Sequence, residues 1–342
     1  MKVIEITGNN PNWDSFVDTT EGATSCHRLG WLRVIEKSFG HRCYYRAVVD
    51  PQDRWQAVLP LVHLRSRLFG NFLVSVPFVS YGGLLSANEV ATVPLLEEAE
   101  RIRRSLGAAH VELRHAGRAL DGMATKSHKV TMILGLCGDV ERQWQSFNRK
   151  LRNKIRKAEK SGLKPRTGGL ELLDGFYRVF ARNMRDLGTP VYPKQFFRNV
   201  LEEFAATTRI FAVYHEETMI AAGIASWYGG VMEVPWASSI RDYRGYAPNN
   251  MLYWEILQFA IDKGLAKLDF GRSTPNEGTY NFKKQWGAEP IPLYWQYLLP
   301  EGGKMPDLTP TNPRYQAAIR AWQKLPVPIT NLLGPMIVRN IP

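Results

Sequence analysis

Asp269-Phe270-Gly271-Arg272-Ser273 is followed closely by Gly278-Thr279-Tyr280-Asn281-Phe282-Lys283-Lys284-Gln285-Trp286-Gly287. A carboxylate at the end of an apolar run and a lysine soon after it are materials for proton transfer or charge stabilisation. Asp269 either orients or deprotonates an acceptor, or caps the turn that follows it. The Asp-Phe-Gly triplet also occurs in protein kinases, but no HRD loop, glycine-rich loop or V-A-I-K strand accompanies it, which excludes that reading. Cys26, Cys43 and Cys137 are scattered and form no CxxC pattern, so they read as reduced core thiols. His110 and His115 are an odd number of positions apart on a strand and project from opposite faces. Neither a nucleophilic mechanism nor a metal site is expected.

Charge supplies the second signal. The chain of 342 residues has 44 basic and 32 acidic side chains, a formal net charge of +12. This balance favours anionic partners: nucleic acid, phosphorylated substrates or a membrane face. Much of the excess lies in one stretch, where Arg149, Lys150, Arg152, Lys154, Arg156, Lys157, Lys160, Lys164 and Arg166 meet a single acid, Glu159. Such a helix is either a solvated connector face or a surface that neutralises successive phosphates. A composition of 44% hydrophobic and 22% charged residues is globular and excludes a disordered or fibrous chain. No apolar run approaches the roughly 18 residues of a spanning helix and no signal peptide opens the chain, so a cytoplasmic location is expected.

The elements that must position these residues follow from periodicity. Asp139 caps a helix reaching Ser161, with Trp144, Phe147, Leu151, Ile155 and Ala158 as its packing stripe and Gly162 as its stop. Helices marked by Leu172 to Phe180 and by Pro193 to Phe204 come next. Strands at Arg209–Tyr214, Met219–Tyr228 and Val231–Ser238 follow, then a helix from Asn249 to Lys263 and a buried strand from Ala266 to Phe270. A short segment around Tyr280 and a strand from Leu293 to Leu299 complete the second half. The first half has a similar order: a strand at Val3–Ile6, helices near Trp13 and Trp31, and strands at Tyr44–Val49, Trp55–Leu64 and Phe72–Val76. A helix from Asn88 to Leu106 then precedes strands at His110–Leu113 and Val130–Leu134. Repetition of element order predicts duplicated α/β domains. The tail from Pro300 is proline-rich, with one helix at Tyr315–Lys324. Its Leu332, Leu333, Met336, Ile337 and Val338 either wrap the second domain or touch a membrane surface.

The order of the second half is that of the acetyltransferase (GNAT) fold. This directs attention to Arg241-Asp242-Tyr243-Arg244-Gly245-Tyr246-Ala247-Pro248-Asn249. In that fold an R-x-x-G-x-G/A loop cradles the pyrophosphate of coenzyme A at a helix N-terminus. Arg244 matches, but Ala247 and Asn249 replace the glycines and Pro248 removes an N–H donor, which weakens the case for ordinary coenzyme A binding. Asn249 is a suitable helix cap whatever the ligand.

The D-F-G-x-S strand end, the G…F-K…G segment and the basic helix Ser146 to Gly162 together resemble the FemAB family, over nearly the whole chain. The first half resembles its branch associated with PEP-CTERM/exosortase systems, in Leu59-Pro60-Leu61, Arg65-Ser66-Arg67-Leu68-Phe69-Gly70, Leu73-Val74-Ser75-Val76-Pro77-Phe78 and Tyr81-Gly82-Gly83. The resemblance implies two tandem GNAT-like (BioF2-like) α/β domains with mixed central sheets joined by a basic helix. The expected divisions are 1–138, the helix 139–162, 163–300 with the D-F-G and F-K motifs, and a tail 301–342. It implies transfer of an aminoacyl or acyl group to an amine or hydroxyl of a peptidoglycan or exopolysaccharide precursor, soluble or lipid-linked. The implied setting is the cytoplasm, reaching to the inner face of the inner membrane.

No permanently bound cofactor is implied; the co-substrate is aminoacyl-tRNA or acyl-CoA. The resemblance makes Lys283 the residue that stabilises the developing charge, with Asp269 beside it and Phe282 packed against the donor. Tyr243, Arg244, Asn249, Arg272 and Tyr280 complete a candidate donor cleft, and Arg65, Arg67 and Tyr81 a candidate acceptor site. Arg149, Lys150, Arg152, Lys154, Arg156, Lys157 and Lys160 are the candidate tRNA contacts. The rival class is a non-catalytic protein tethered to nucleic acid or anionic lipid.

Overall fold

A computed structural model of the chain describes residues 1–306 and 313–341. Its first stretch runs β1 (Lys2–Ile6), α1 (Pro11–Thr19), α2 (Gly30–Phe39), β2 (Arg42–Cys43), β3 (Tyr45–Val49), β4 (Trp55–Leu59), β5 (Val62–Ser66), β6 (Gly70–Val74), β7 (Leu85–Ser86), α3 (Thr92–Ser105), β8 (Val111–Ala116) and β9 (Ala124–Gly135). There follow α4 (Val140–Ser146), α5 (Arg149–Lys160), β10 (Leu163–Gly168), α6 (Leu173–Leu187), α7 (Lys194–Glu203), β11 (Thr208–His215), β12 (Thr218–Tyr228), β13 (Val231–Ser239), α8 (Pro248–Asp262), β14 (Lys267–Ser273) and α9 (Gly278–Lys284). Last come β15 (Glu289–Leu298), α10 (Pro313–Trp322) and α11 (Val327–Val338). The chain forms two compact units, Met1–Val130 with Ile291–Thr309 and Arg339–Pro342, and Thr131–Pro290 with Pro310–Val338.

In the first unit β1, β3, β4 and β7 form one sheet, and β15, β8, β6, β5 and β2 are successive neighbours in another. The segment Trp55–Leu64, expected as one strand, is two strands in different sheets. Pro60 lacks the N–H a ladder needs, and the chain changes sheets there. The α3 helix packs on β1, β3 and β4 over a core that includes Val48, Leu59, Leu95, Ile102 and Leu113. The expected strand near Leu293 is β15, but it pairs antiparallel with β8, Leu293 opposite Ala116 and Leu298 opposite Val111, and so belongs to the first unit.

In the second unit the order is β10-β11-β12-β13-β14-β9. The strand β10 pairs antiparallel with β11. Every residue of β12 from Met219 to Ala225 is buried, so both faces of the sheet are covered there. Part of that cover is an aromatic cluster of α6 and α7, where Phe176 and Phe180 each lie 5.0 Å from Phe197, and Phe196 lies 5.4 Å from Trp236 of β13. The continuous helix expected from Asp139 to Ser161 is broken. Asp139 caps α4 through Arg142 N–H at 2.8 Å, but Phe147 and Asn148 are extended, and Asn148 Oδ1 caps α5 through Leu151 N–H at 2.9 Å. The tail holds two helices where one was expected; its Pro310 and Pro342 lie outside the described residues.

Candidate active site

Strands β13 and β14 run parallel, with Val231 to Glu233 in register with Lys267 to Asp269. The paired positions end there, although β13 continues to Ser239 and β14 to Ser273. Beyond Glu233 and Asp269 the two edges carry main-chain N–H and C=O groups that do not pair with each other, which suits them to an amide-bearing ligand. Gly271 forms the step in β14: its φ is +75°, and a Cβ there would lie 3.0 Å from the carbonyl oxygen of Val234. Only glycine meets both conditions without strain.

Asp269, 1% exposed, holds this step. Its Oδ1 accepts the Gly271 N–H at 2.7 Å and the Thr131 hydroxyl at 2.5 Å. Of the two roles open to Asp269 in the sequence, the geometry displays the turn-forming one.

Lys283 is 7% exposed, and its Nζ donates to the carbonyl oxygens of Gly271 and Arg272 at 2.8 and 2.9 Å. An ammonium has three N–H bonds, so one remains for a further acceptor. Burial lowers its pKa from the usual 10.5 to about 8; the negative charge of Asp269 pulls it upward and Arg272 lowers it. At neutral pH the group is still a cation, held in a poorly solvated place. The short α9 turns Lys283 inward because Trp286, 1% exposed, anchors the following turn. The Trp286 ring lies 5.4 Å from Phe147, 6.1 Å from Phe270 and 6.3 Å from both Tyr253 and Phe282.

The other candidate donor residues are less concentrated. Phe282 packs 5.4 Å from Tyr253 of α8. Tyr243 and Arg244 lie on the 3-10 turn Arg241–Tyr246, where Arg244 is exposed and Tyr243 lies 5.8 Å from His215. Arg272 is exposed, and Tyr280 lies beneath Lys284, whose Nζ is 5.9 Å from the ring centre. Asn249 is not the helix cap it was expected to be. The cap is Ala247 at φ +58°, Pro248 is the first helical residue, and Asn249 falls inside the first turn with no capping bond. Sequence reasoning missed Asn250 and Ser273, 6% and 4% exposed, whose Nδ2 and Oγ have no hydrogen-bond partner among the described residues. A buried polar atom left unpaired costs about 1–3 kcal/mol, so a ligand supplying the missing partner would be favoured there.

Leu151, Ile155 and Ala158 of α5 are buried, and the helix packs on α8 and β10. Arg149, Lys150, Arg156, Lys157 and Lys160 are exposed, while Arg152 and Lys154 are half-buried. Arg149, Lys150, Asn153, Lys154 and Lys157 line one open depression. Some of this charge is engaged: Lys154 Nζ donates to Gln285 Oε1 at 3.0 Å, and Arg156 stacks 5.3 Å from the Trp144 ring centre.

In the first unit, Arg65 and Arg67 are exposed at the β5–β6 hairpin. Neither lines the cavity of about 290 Å³ that includes Tyr81, Gly82, Gly83, His27, Arg114 and His115. Arg114, also missed, is 1% exposed. It donates to Glu112 at 2.7 Å and to the Val79 carbonyl at 3.2 Å, and its Nη2 has no hydrogen-bond partner among the described residues. A sequence signal existed, because Glu112 and Arg114 alternate with Val111 and Leu113 and so share one face of the strand. Gly83 is required by close packing: a Cβ there would lie 2.5 Å from His115 Nε2, the atom that accepts the Leu84 N–H at 3.1 Å.

Residues 145–284 match the family described as acetyltransferase (GNAT) domain. Among characterised proteins, UDP-N-acetylmuramoylpentapeptide-lysine N(6)-alanyltransferase of Weissella viridescens is 26% identical over 167 residues, 47% of this chain and 49% of that protein. The match thus spans about half the length of that relative. The crystal structure of FemX superposes with a TM-score of 0.65 at 16% identity, covering 93% of this chain and 100% of that one. A tandem GNAT protein from the clavulanic acid biosynthesis pathway gives a TM-score of 0.55 at 12% identity, covering 90% and 99%. The chain therefore has the mixed α/β fold of the tandem GNAT proteins, and the stretch that resembles a GNAT-type acetyltransferase domain is residues 145–284.

Proposed function

We propose that the protein is an acyltransferase of the Fem type, moving an aminoacyl group from aminoacyl-tRNA to an amine or hydroxyl of a cell-envelope precursor in the cytoplasm. The observation that carries this reading is the buried Lys283 ammonium, fixed by two carbonyls beside the point where β13 and β14 part. The acceptor lone pair attacks the donor ester carbonyl, and a new C–N or C–O bond forms. The oxyanion that develops takes the third N–H of Lys283. Collapse breaks the bond to the ribose oxygen of the tRNA, and the proton lost by the acceptor ends on that oxygen, directly or through water. Asp269 acts through Gly271, as a positioning residue.

Support for a peptidoglycan precursor comes from the alanyltransferase relative, and for an exopolysaccharide precursor from the resemblance of first-half segments to the exosortase-associated branch. In the first unit, Tyr81 and the unpaired Arg114 nitrogen suit an anionic or carbonyl-bearing acceptor. The basic face of α5 suits the phosphates of tRNA. The GNAT match favours a second reading, with acyl-CoA as donor. Against it stand Ala247 in a left-handed conformation and Pro248, which removes one N–H at the helix start.

The test supplies the purified protein with a UDP-linked muramyl peptide and either mixed charged tRNA or acetyl-CoA, and weighs the product. A mass gain of an aminoacyl residue, lost in Lys283→Met, is expected. Acetylation alone would establish the second reading, and no transfer from either donor, with acceptor binding unchanged in Lys283→Met, would defeat both.

A further inference from the structure

The α11 helix divides its surface in two. Thr330, Gly334 and Val338 are buried, and α11 packs on α6. Gly334 sits so close to Val191 that an added Cβ would lie 2.8 Å from its main-chain nitrogen. On the other side Ile329, Leu332, Leu333 and Met336 are 43%, 72%, 39% and 65% exposed. Their spacing of three and four residues places them in one stripe. Single exposed apolar residues need no explanation, but a contiguous stripe at the helical period marks a surface that something covers.

Length and charge select what covers it. The helix has 12 residues, about 18 Å, against a hydrocarbon core of about 30 Å, so it cannot span a bilayer. No helix among the described residues is long and apolar enough to cross a membrane. From Leu308 to Pro342 the chain contains Arg314, Arg320, Lys324 and Arg339 and no acidic residue. Arg320 and Lys324, just ahead of α11, are exposed. A second copy laid on the stripe about a twofold axis would bring like charges together, whereas anionic headgroups attract them.

We propose that α11 is an interfacial anchor, lying in the plane of an anionic lipid surface with the Ile329, Leu332, Leu333 and Met336 stripe among the acyl chains and Arg320 and Lys324 at the headgroups. This contact does not depend on the transfer chemistry and is read without it.

The experiment floats the full-length protein with vesicles of equal parts phosphatidylglycerol and phosphatidylcholine, with pure phosphatidylcholine as control. The protein should rise with the anionic vesicles only. Leu332→Glu with Met336→Glu should cut the bound fraction about tenfold without moving the thermal melt, because both side chains are exposed. Arg320→Gln with Lys324→Gln should weaken binding and its response to salt. Absence of flotation, or flotation that the glutamates leave unchanged, would overturn the proposal. So would a concentration-dependent dimer that the glutamates abolish, since a second copy would then cover the stripe.

Discussion

The ammonium of Lys283 reaches back to the carbonyl oxygen of Gly271, 12 residues earlier, at 2.8 Å. The lysine thus ties α9 to the kinked end of β14, while its remaining N–H is held in a fixed direction. Lys283→Met keeps an unbranched side chain out to the ε carbon and removes the ammonium with its charge. It should lower kcat by about a hundredfold, as expected for one oxyanion donor, with KM for the acceptor little changed. A circular-dichroism melt checks that the variant folds, and a change confined to KM would contradict the role.

Burial brings the deprotonation of Lys283 down to about pH 8. Because the protonated form is the donor, kcat should fall as pH rises through about 8. Lys283→Arg carries a charge that does not titrate in this range, so any activity it retains should lack that descending limb. Activity that instead climbs through pH 8 in the natural protein would make the neutral amine the working form.

Asp269 and Gly271 give a paired prediction. Asp269→Asn still accepts the Gly271 N–H and should keep kcat within about tenfold, whereas loss of a general base would cost about 10²–10⁴. Gly271→Ala places a Cβ 3.0 Å from the Val234 oxygen at a φ of +75°, and should destabilise the second unit by about 1–3 kcal/mol in a denaturant titration.

For the basic face, binding of charged tRNA should fall steeply with salt. Replacing Arg149, Lys150 and Lys157 with Gln should flatten the slope of log K against log salt by about 2. Lys154 is left in place because it bonds to Gln285. An unchanged slope would mean that α5 is a solvated face.

The first unit should be acid-sensitive. Burial lowers the pKa of His27 and of His115 to about 4 from the usual 6.5, and the charge of His115 adds to the lowering at His27. Between pH 6.5 and 4 the unfolded chain therefore binds more protons than the folded one, and stability falls as pH falls. The loss is on the order of a few kcal/mol across the window. Urea titrations at pH 7 and 5 measure it. His115→Gln, which can still accept the Leu84 N–H, should reduce the dependence.

Legibility in the sequence followed the range of the forces involved. Helices whose apolar residues recur at three and four, such as α3, α6 and α7, were readable, as was the Asp139 cap, because these signals are local. The break at Phe147 and Asn148 was not. Both flanking segments carry the same helical period, and what separates them is a second cap, Asn148, whose Oδ1 accepts a single bond from Leu151 N–H. The cap at Ala247 was hidden for the opposite reason, since alanine at φ +58° contradicts its intrinsic preference and is held there by the surrounding fold. The family resemblance singled out Lys283, and the strand end Asp269, but not that the aspartate's oxygen is occupied by Gly271 and Thr131. Asn250, Ser273 and the free nitrogen of Arg114 became visible only once burial was known.

The return of β15 to the first unit has a consequence during synthesis. Residues 131 to 290 leave the ribosome before the strand that pairs with β8 exists, so the sheet of the second unit can form, still without α11, while the first unit presents an open β8 edge. A growing chain stalled before Ile291 should expose that edge to chaperones or to neighbouring nascent chains. A gene fragment cut at Val130 should then yield aggregates, while one encoding 131–290 lacks the α10 and α11 segments that complete the second unit.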